Sequence, residues 1–307
     1  MMEGPALASA TGTAGQFLVA KLRDLDSRLG EAVPRLLSGS DDEAVHDFRV
    51  ALRRTRTLLE VGRPVFGRFH ADEVRSALRD VQQASGALRD EEVLLELLGS
   101  IEGLAGDPQH PPSYAGNVRA WIDGRRRRER RLRSALRRKV REGELERGRY
   151  LLAALVAFRT KPSRDRRVTK FARRAVEDAR REVEHRRRAP THDPEALHDL
   201  RIAYKRLRYT VEAFASVLPP DLINLAQTAA RFQNRLGRLH DVDLAIACVK
   251  SARQLLDVGR DAMLATLLRA RAERLAALEQ ELGGFGTGPS PVKVRVVPNA
   301  AGRASSA

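Results

Sequence analysis

A chain of 307 residues with 42% apolar residues can bury a core, while its net charge of +16 and isoelectric point near 11.0 call for a polyanionic partner: nucleic acid, an anionic membrane surface or an inorganic polyanion. The single cysteine, Cys248, excludes an internal disulfide and a cysteine-rich zinc site; it is expected to be a small buried apolar residue in a reducing compartment. The N-terminus has no basic and apolar leader, and no window approaches the ~18 apolar residues of a spanning helix, so the chain is expected to be cytoplasmic and not membrane-inserted.

In chain order, residues 1–14 are small and polar and read as a flexible N-terminus. From residue 15 onward period-2 alternation is nearly absent and apolar residues recur at helical spacing, so the expected fold class is all-α. Ser40 offers an N-cap with Glu43 three residues later, opening a helix that Val61-Gly62-Arg63-Pro64 should stop. Gly86 reads as a helix end and Asp90 as the cap of the next helix, with Arg89 in a structural, capping role. The run 125–142 is strongly cationic, a charged connecting helix is expected over 144–160, and a second cationic run covers 164–188. Each run is either an added anion-binding surface, to which Arg173, Arg174, Arg180 and Arg181 would belong, or a solvated face paired with glutamates. Asp193 offers a further N-cap, with Pro194 at the first helical position, and Leu218-Pro219-Pro220 ends that helix. Residues 284–307 are rich in Gly, Pro and Ser and read as a disordered tail, in which the stretch 292–297 could pair as a strand with a partner.

Two segments of this chain say the same thing. "AVHDFRVALRRTRTLLE" begins at Ala44 and "ALHDLRIAYKRLRYTVE" at Ala196, 152 positions later (196 minus 44), with eight of seventeen residues identical. A second pair follows at an offset of 151: Gly86, Leu88 and Asp90 recur as Gly237, Leu239 and Asp241. Two segments repeated in the same order imply an internal duplication. The halves would cover 15–142 and 163–283, each with about four helices, packed as two pseudo-symmetric four-helix bundles.

At ~100° per residue, His46, Arg49, Arg53 and Arg56 fall on one stripe of a helix roughly 80° wide. Phe48, Leu52 and Leu59 take the opposite side and can face a core. In the second copy His198, Arg201, Lys205 and Arg208 repeat the stripe with Tyr209 inside it, and Leu200, Tyr204 and Val211 take the apolar face. Arg54 and Arg206 flank the histidines from the other side. Cations at this spacing repel one another, and the stripe carries no acid of its own, so its charge needs an external anion. Arginine supplies a rigid fork of donors matched to phosphate oxygens, and histidine a donor whose charge a phosphate can induce near neutral pH. A solvated face with an incidental histidine explains one such helix but not two.

These residues resemble the CHAD family, an α-helical domain named for its histidines. The family pattern is a histidine, an arginine three residues later, a basic pair and a further arginine, with Arg-Tyr common in the second copy; "HDFRVALRRTR" at 46–56 and "HDLRIAYKRLRY" at 198–209 follow it. "GALRD" at 86–90 and "GRLHDVD" at 237–243 resemble the second family motif, with His240 in place of its arginine. The resemblance covers about residues 15–283. It implies two bundles around a central basic cavity, non-catalytic binding of inorganic polyphosphate, and association with polyphosphate granules. His46, Arg49, Arg53, Arg54 and Arg56 would line one wall of that cavity, and His198, Arg201, Lys205, Arg206, Arg208 and Tyr209 the other. Many relatives carry a CYTH domain with an E-x-E-x-K strand. The nearest acidic string here, 142–147, lies in helical sequence, so the catalytic partner is expected to be missing, with no enzyme activity, cofactor or metal.

The same charge would serve a nucleic-acid-binding basic helical protein, although 5% aromatic residues leave few stacking platforms for single strands. Three His-Asp pairs, at His46, His198 and His240, raise a metal-dependent phosphohydrolase; adjacent helical residues point about 100° apart, which disfavours chelation of one metal by such a pair.

Overall fold

The computed structural model describes residues 12–39, 41, 43–102, 112–157, 166–189 and 193–284. Ser40, most of the N-terminal 14 residues and the tail with its 292–297 stretch lie outside the described residues.

Eleven α-helices make up almost all of the described chain, with no β-strand among the described residues beyond one isolated bridge. Helix α1 (Ala14–Ser38) starts inside the stretch expected to be flexible, because Thr13 and Gln16 form a capping box there. It ends at Gly39, whose φ of 77° is a left-handed conformation that a residue with a Cβ adopts at a cost. Helix α2 (Glu43–Val61) carries the first motif, and the Asp41 carboxylate accepts from the Glu43 backbone N–H at its start. Short helices α3 (Arg63–Phe66) and α4 (Arg68–Ala77) follow, with Pro64 in the first turn of α3. Helix α5 (Arg79–Glu102) and the cationic α6 (Pro112–Arg141) form a long antiparallel pair, and α7 (Glu144–Ala157) follows Gly143, at φ 83°.

In the second half, α8 (Val168–Arg186) precedes α9 (Pro194–Phe214), the second motif helix, which Asp193 and Pro194 open as expected. A short 3-10 turn, Ala215–Val217, leads into α10 (Pro220–Lys250), and α11 (Asp257–Gly284) completes the described chain. Gly86 and Gly237 do not end helices; they lie inside α5 and α10, with Asp90 and Asp241 mid-helix and Arg89 capping nothing. Among the described residues the glycines with positive φ, Gly39, Gly67 and Gly143, sit at helix ends, and Gly86 and Gly237 are not among them. At Gly86 and Gly237 buried Leu88 and Leu239 hold the helix through the ~1 kcal/mol intrinsic penalty of glycine.

Between the halves, α1 meets α8, α2 meets α9, α5 meets α10 and α6 meets α11, and of these pairs α2 with α9 and α5 with α10 carry the repeated segments. The chain entering α1 and that entering α8 also meet reciprocally. Ala14 N–H donates to the Arg166 carbonyl at 2.9 Å and Val168 N–H to the Gly12 carbonyl at 3.0 Å.

The hydrophobic interior does not divide by half. One cluster draws on both, and Phe17 of α1, Phe171 of α8 and Phe214 of α9 meet in it, with Phe214 ring centroids 5.3 Å from Phe17 and 5.9 Å from Phe171. A second cluster joins the far parts of α5 and α6 (Leu94, Leu98, Trp121, Ile122) to α10 and α11 (Val242, Ile246, Met263, Leu267). Cys248 packs half-buried against this second cluster rather than inside it, and burial pushes its thiol pKa up. Helix α7, within the stretch expected as a charged connecting helix, packs onto α4, with Leu145 and Leu152 buried. Gly148 permits that approach, since a Cβ there would overlap the Leu78 side chain. Gly148→Ala is expected to destabilise the fold by about 1–3 kcal/mol in thermal denaturation, the cost of overpacking; an unchanged midpoint would contradict this packing.

Candidate functional site

Both motif helices bury the faces predicted for them. Phe48, Leu52 and Leu59 of α2 and Leu200, Tyr204 and Val211 of α9 are core residues, which turns each cationic stripe away from the core. Because α2 packs against α9, part of each stripe comes together, while His46, Arg49, Arg54, His198, Arg201 and Arg208 do not line the cavity this forms. A cavity of about 310 Å³ is lined by Arg53 and Arg56 from α2 and by Lys205, Arg206 and Tyr209 from α9. Arg75 of α4, Gln82 of α5 and Arg186 of α8 complete the wall, together with Glu60, Glu182 and Asp199. Sequence reasoning missed Arg75 and Gln82: they lie outside the repeated segments, and only the packing of α4 and α5 brings them in. A second hollow of about 530 Å³, lined by Arg56, Arg79, Gln82 and Asp90 among others, shares Arg56 and Gln82 with the first.

The charges sort into two kinds. Arg54, Arg206 and Arg208 have carboxylate partners. Arg54 lies 3.7 Å from Glu212, Arg206 lies 3.6 Å from Glu60, and Arg208 Nε donates to Glu212 at 2.6 Å. The first two pairs are reciprocal across the halves, since Arg54 and Glu60 occupy the motif positions that Arg206 and Glu212 repeat. The flanking Arg54 and Arg206 thus find acids on the opposite motif helix, which a single helical wheel does not reveal, while Arg208 of the stripe pairs with Glu212 of its own helix, against the expectation of a stripe without acids. Arg53, Arg201 and Lys205 differ: among the described residues no carboxylate pairs with them. Arg53 lies over the Tyr209 ring at 4.7 Å, and the Nε atoms of Arg53 and Arg201 are buried without a hydrogen-bond partner. Arg49 and Arg56 donate to the backbone carbonyls of Ser85 and Arg75.

Burial and mutual repulsion act on this group together. Burial, then Arg53, Arg201 and Arg49, push the Lys205 ammonium down to about 8. Burial, then Arg53, lowers Arg49 to about 10, and burial also lowers Arg53 and Arg201. At one end His198 and His240 stand with ring centroids 5.0 Å apart, and burial, then Arg201 and His198, push His240 down to about 4. His46 and His198 are exposed at the N-terminal ends of their stripes.

The aspartates of the first two His-Asp pairs have a structural use. Asp47 accepts from Arg35 of α1 at 2.8 Å and Asp199 from Arg186 of α8 at 2.6 Å, each tying a motif helix to the helix before it. Among the described residues no group of three or more His, Cys, Asp or Glu could hold a metal ion. No described helix is long and apolar enough to cross a membrane. In α8, Arg174, Arg180 and Arg181 pair with acids of their own helix, while Arg173 is exposed. Arg89 pairs with Glu92 at 3.5 Å and Glu96 at 3.3 Å.

The CHAD domain profile matches residues 20–250, the span that holds both motif helices and both second motifs. The chain belongs to the CHAD domain family. Its fold is similar to the crystal structure of the CHAD domain from the plant Ricinus communis, with a TM-score of 0.70 and 21% identity over 94% of this chain and 98% of that one. It is also similar to PptA from Streptomyces chartreusis, with a TM-score of 0.65 and 16% identity over 90% of this chain and all of that one. Two uncharacterized proteins of Mycobacterium tuberculosis are 31% identical over 215 residues, 65% of this chain. The match spans 38% of the length of those curated relatives. The CHAD motifs are therefore present in both halves here, with His240 the departure noted above.

Proposed function

We propose that this CHAD domain is a non-catalytic module that binds inorganic polyphosphate in a basic cavity shared by two pseudo-symmetric helical halves, and that it acts in the cytoplasm at polyphosphate granules. The observation that carries the reading is one cavity lined by cations of both motif copies, several with no carboxylate partner. The reciprocal ion pairs and the helix-to-counterpart contacts support the two-fold arrangement. A slot of about 310 Å³ admits a thin flexible polyanion and not a duplex. Phosphate oxygens in the cavity would meet the orphaned guanidinium donor of Arg53 and relieve the repulsion that Arg53, Arg201 and Arg49 exert on Lys205. The test is calorimetric titration with polyphosphate of tens of units at physiological salt, with duplex DNA of matched charge as competitor. Saturable polyphosphate binding that the duplex does not displace is expected. Displacement charge for charge would overturn the reading.

Lys205 gives the binding a pH dependence. Its folded-state pKa lies below the ordinary lysine value, so the free protein sheds this proton above about 8, and stability gains from the loss as pH climbs toward the unfolded value. A bound polyanion favours the charged amine. Binding is therefore expected to take up as much as one proton at Lys205 near pH 8.5 and to weaken as pH rises further. Titrations in buffers of different ionisation enthalpy measure this uptake. Lys205→Arg should abolish it, and an uptake that persists in that variant would contradict the assignment.

A further inference from the structure

The cationic run of α6 is not absorbed by the central cavity. Packing sorts its arginines into two sets. Those facing the fold are occupied: Arg125 and Arg128 hold the buried Glu91 carboxylate at 2.5 and 3.2 Å, Arg133 pairs with Glu92 and Glu129, and Arg137 donates to the Leu36 carbonyl. Those facing out are not. Arg127, Arg130 and Arg131 are exposed and have no ion pair among the described residues, and Arg138 and Arg141 continue the same face. Arg138 reaches only Glu142 at 3.9 Å, and Arg141 touches the Leu37 carbonyl at 3.4 Å. At ~100° per residue these five lie within a sector of about 100°, and from Arg127 to Arg141 the row runs about 21 Å.

We propose that this outer face of α6 is a second polyanion site, one that takes the phosphate backbone of duplex nucleic acid without reading its sequence. Three features select the partner. The row lies on the exposed side of a 30-residue helix, where a stiff rod can lie along it. The face holds no apolar residue for insertion into lipid: Val118, Trp121, Ile122, Leu136 and Val140 all point into the core. Residues 127–141 include no aromatic residue on which a single strand could stack. Exposed, unpaired arginines suit backbone phosphates, and each phosphate neutralised releases counterions. The domain would then bind two polyanions at once, polyphosphate inside and duplex outside.

The test measures duplex DNA binding by fluorescence anisotropy across a salt series, on the intact chain, for wild type, the triple variant Arg127→Gln/Arg130→Gln/Arg131→Gln, and Arg53→Ala/Lys205→Ala. These α6 residues are exposed and unpaired, so the triple variant keeps the fold, which its melting curve checks. The triple variant should lose at least tenfold in duplex affinity and lower the salt slope by about 2.7 (0.9 for each of three phosphates), while still binding polyphosphate. The cavity variant should bind duplex as wild type does. Unchanged duplex binding by the triple variant, or loss of duplex binding in the cavity variant, would overturn the proposal. So would binding of anionic vesicles through the same three arginines with no binding of duplex.

Discussion

Replacing Arg53 and Arg201 together by methionine is expected to weaken polyphosphate binding by two to four orders of magnitude while raising the melting temperature of the free protein. A hydrogen bond to a charged group contributes about 1.5–3 kcal/mol, and Arg53 lines the cavity while Arg201 acts on its Lys205, so their losses should be felt in one site. The stability change has the opposite sign because the free protein holds both guanidinium groups partly desolvated, without carboxylates, with a buried Nε that finds no partner. Methionine keeps much of the volume and flexibility and removes the charge. Relief of about 1 kcal/mol corresponds to a rise of about 2–4 °C for a chain near this size. A purely structural role would move both readouts downward together. A site held ready for an external anion moves them apart.

The second large effect is expected at Phe214. Its ring meets Phe17 of α1 and Phe171 of α8, so it joins three helices from both halves. Phe214→Ala should cost about 3–5 kcal/mol, the usual range for a fully buried phenylalanine. Because the core runs across both halves, the loss should appear as one cooperative transition at a lower denaturant midpoint, seen alike by Trp121 fluorescence and by helical circular dichroism. Two separated transitions would mean that the halves fold as independent bundles and that the shared core is not what holds them together.

The motif helices were legible in the sequence because their chemistry is periodic. The histidine-arginine stripe and the apolar stripe opposite it both follow the 3.6-residue repeat, and α2 and α9 bury the predicted faces. The repeat was legible because offsets of 152 and 151 recur in order. What stayed hidden depends on conformation or on distance. Gly86 and Gly237 carry no mark that separates a helical glycine from a terminating one; only φ does. The pairing of Arg54 with Glu212 and of Arg206 with Glu60 needs the knowledge that α2 faces α9, which one helical wheel lacks. Arg75 enters the cavity from α4, which no repeat announces. The run at 125–142 looked uniform in sequence, yet packing divides it into arginines that hold Glu91, Glu92 and Glu129 and arginines that face solvent.

The central claim is that one polyphosphate site is built from both copies of the motif. Calorimetry on two double variants, one per copy, tests it most directly: His46→Ala with Arg53→Ala, and His198→Ala with Lys205→Ala. The account predicts a single binding event in the wild type and a comparable loss, at least tenfold, in both variants. Full binding retained by either variant would contradict it, because a site that survives removal of one stripe is not shared between the two.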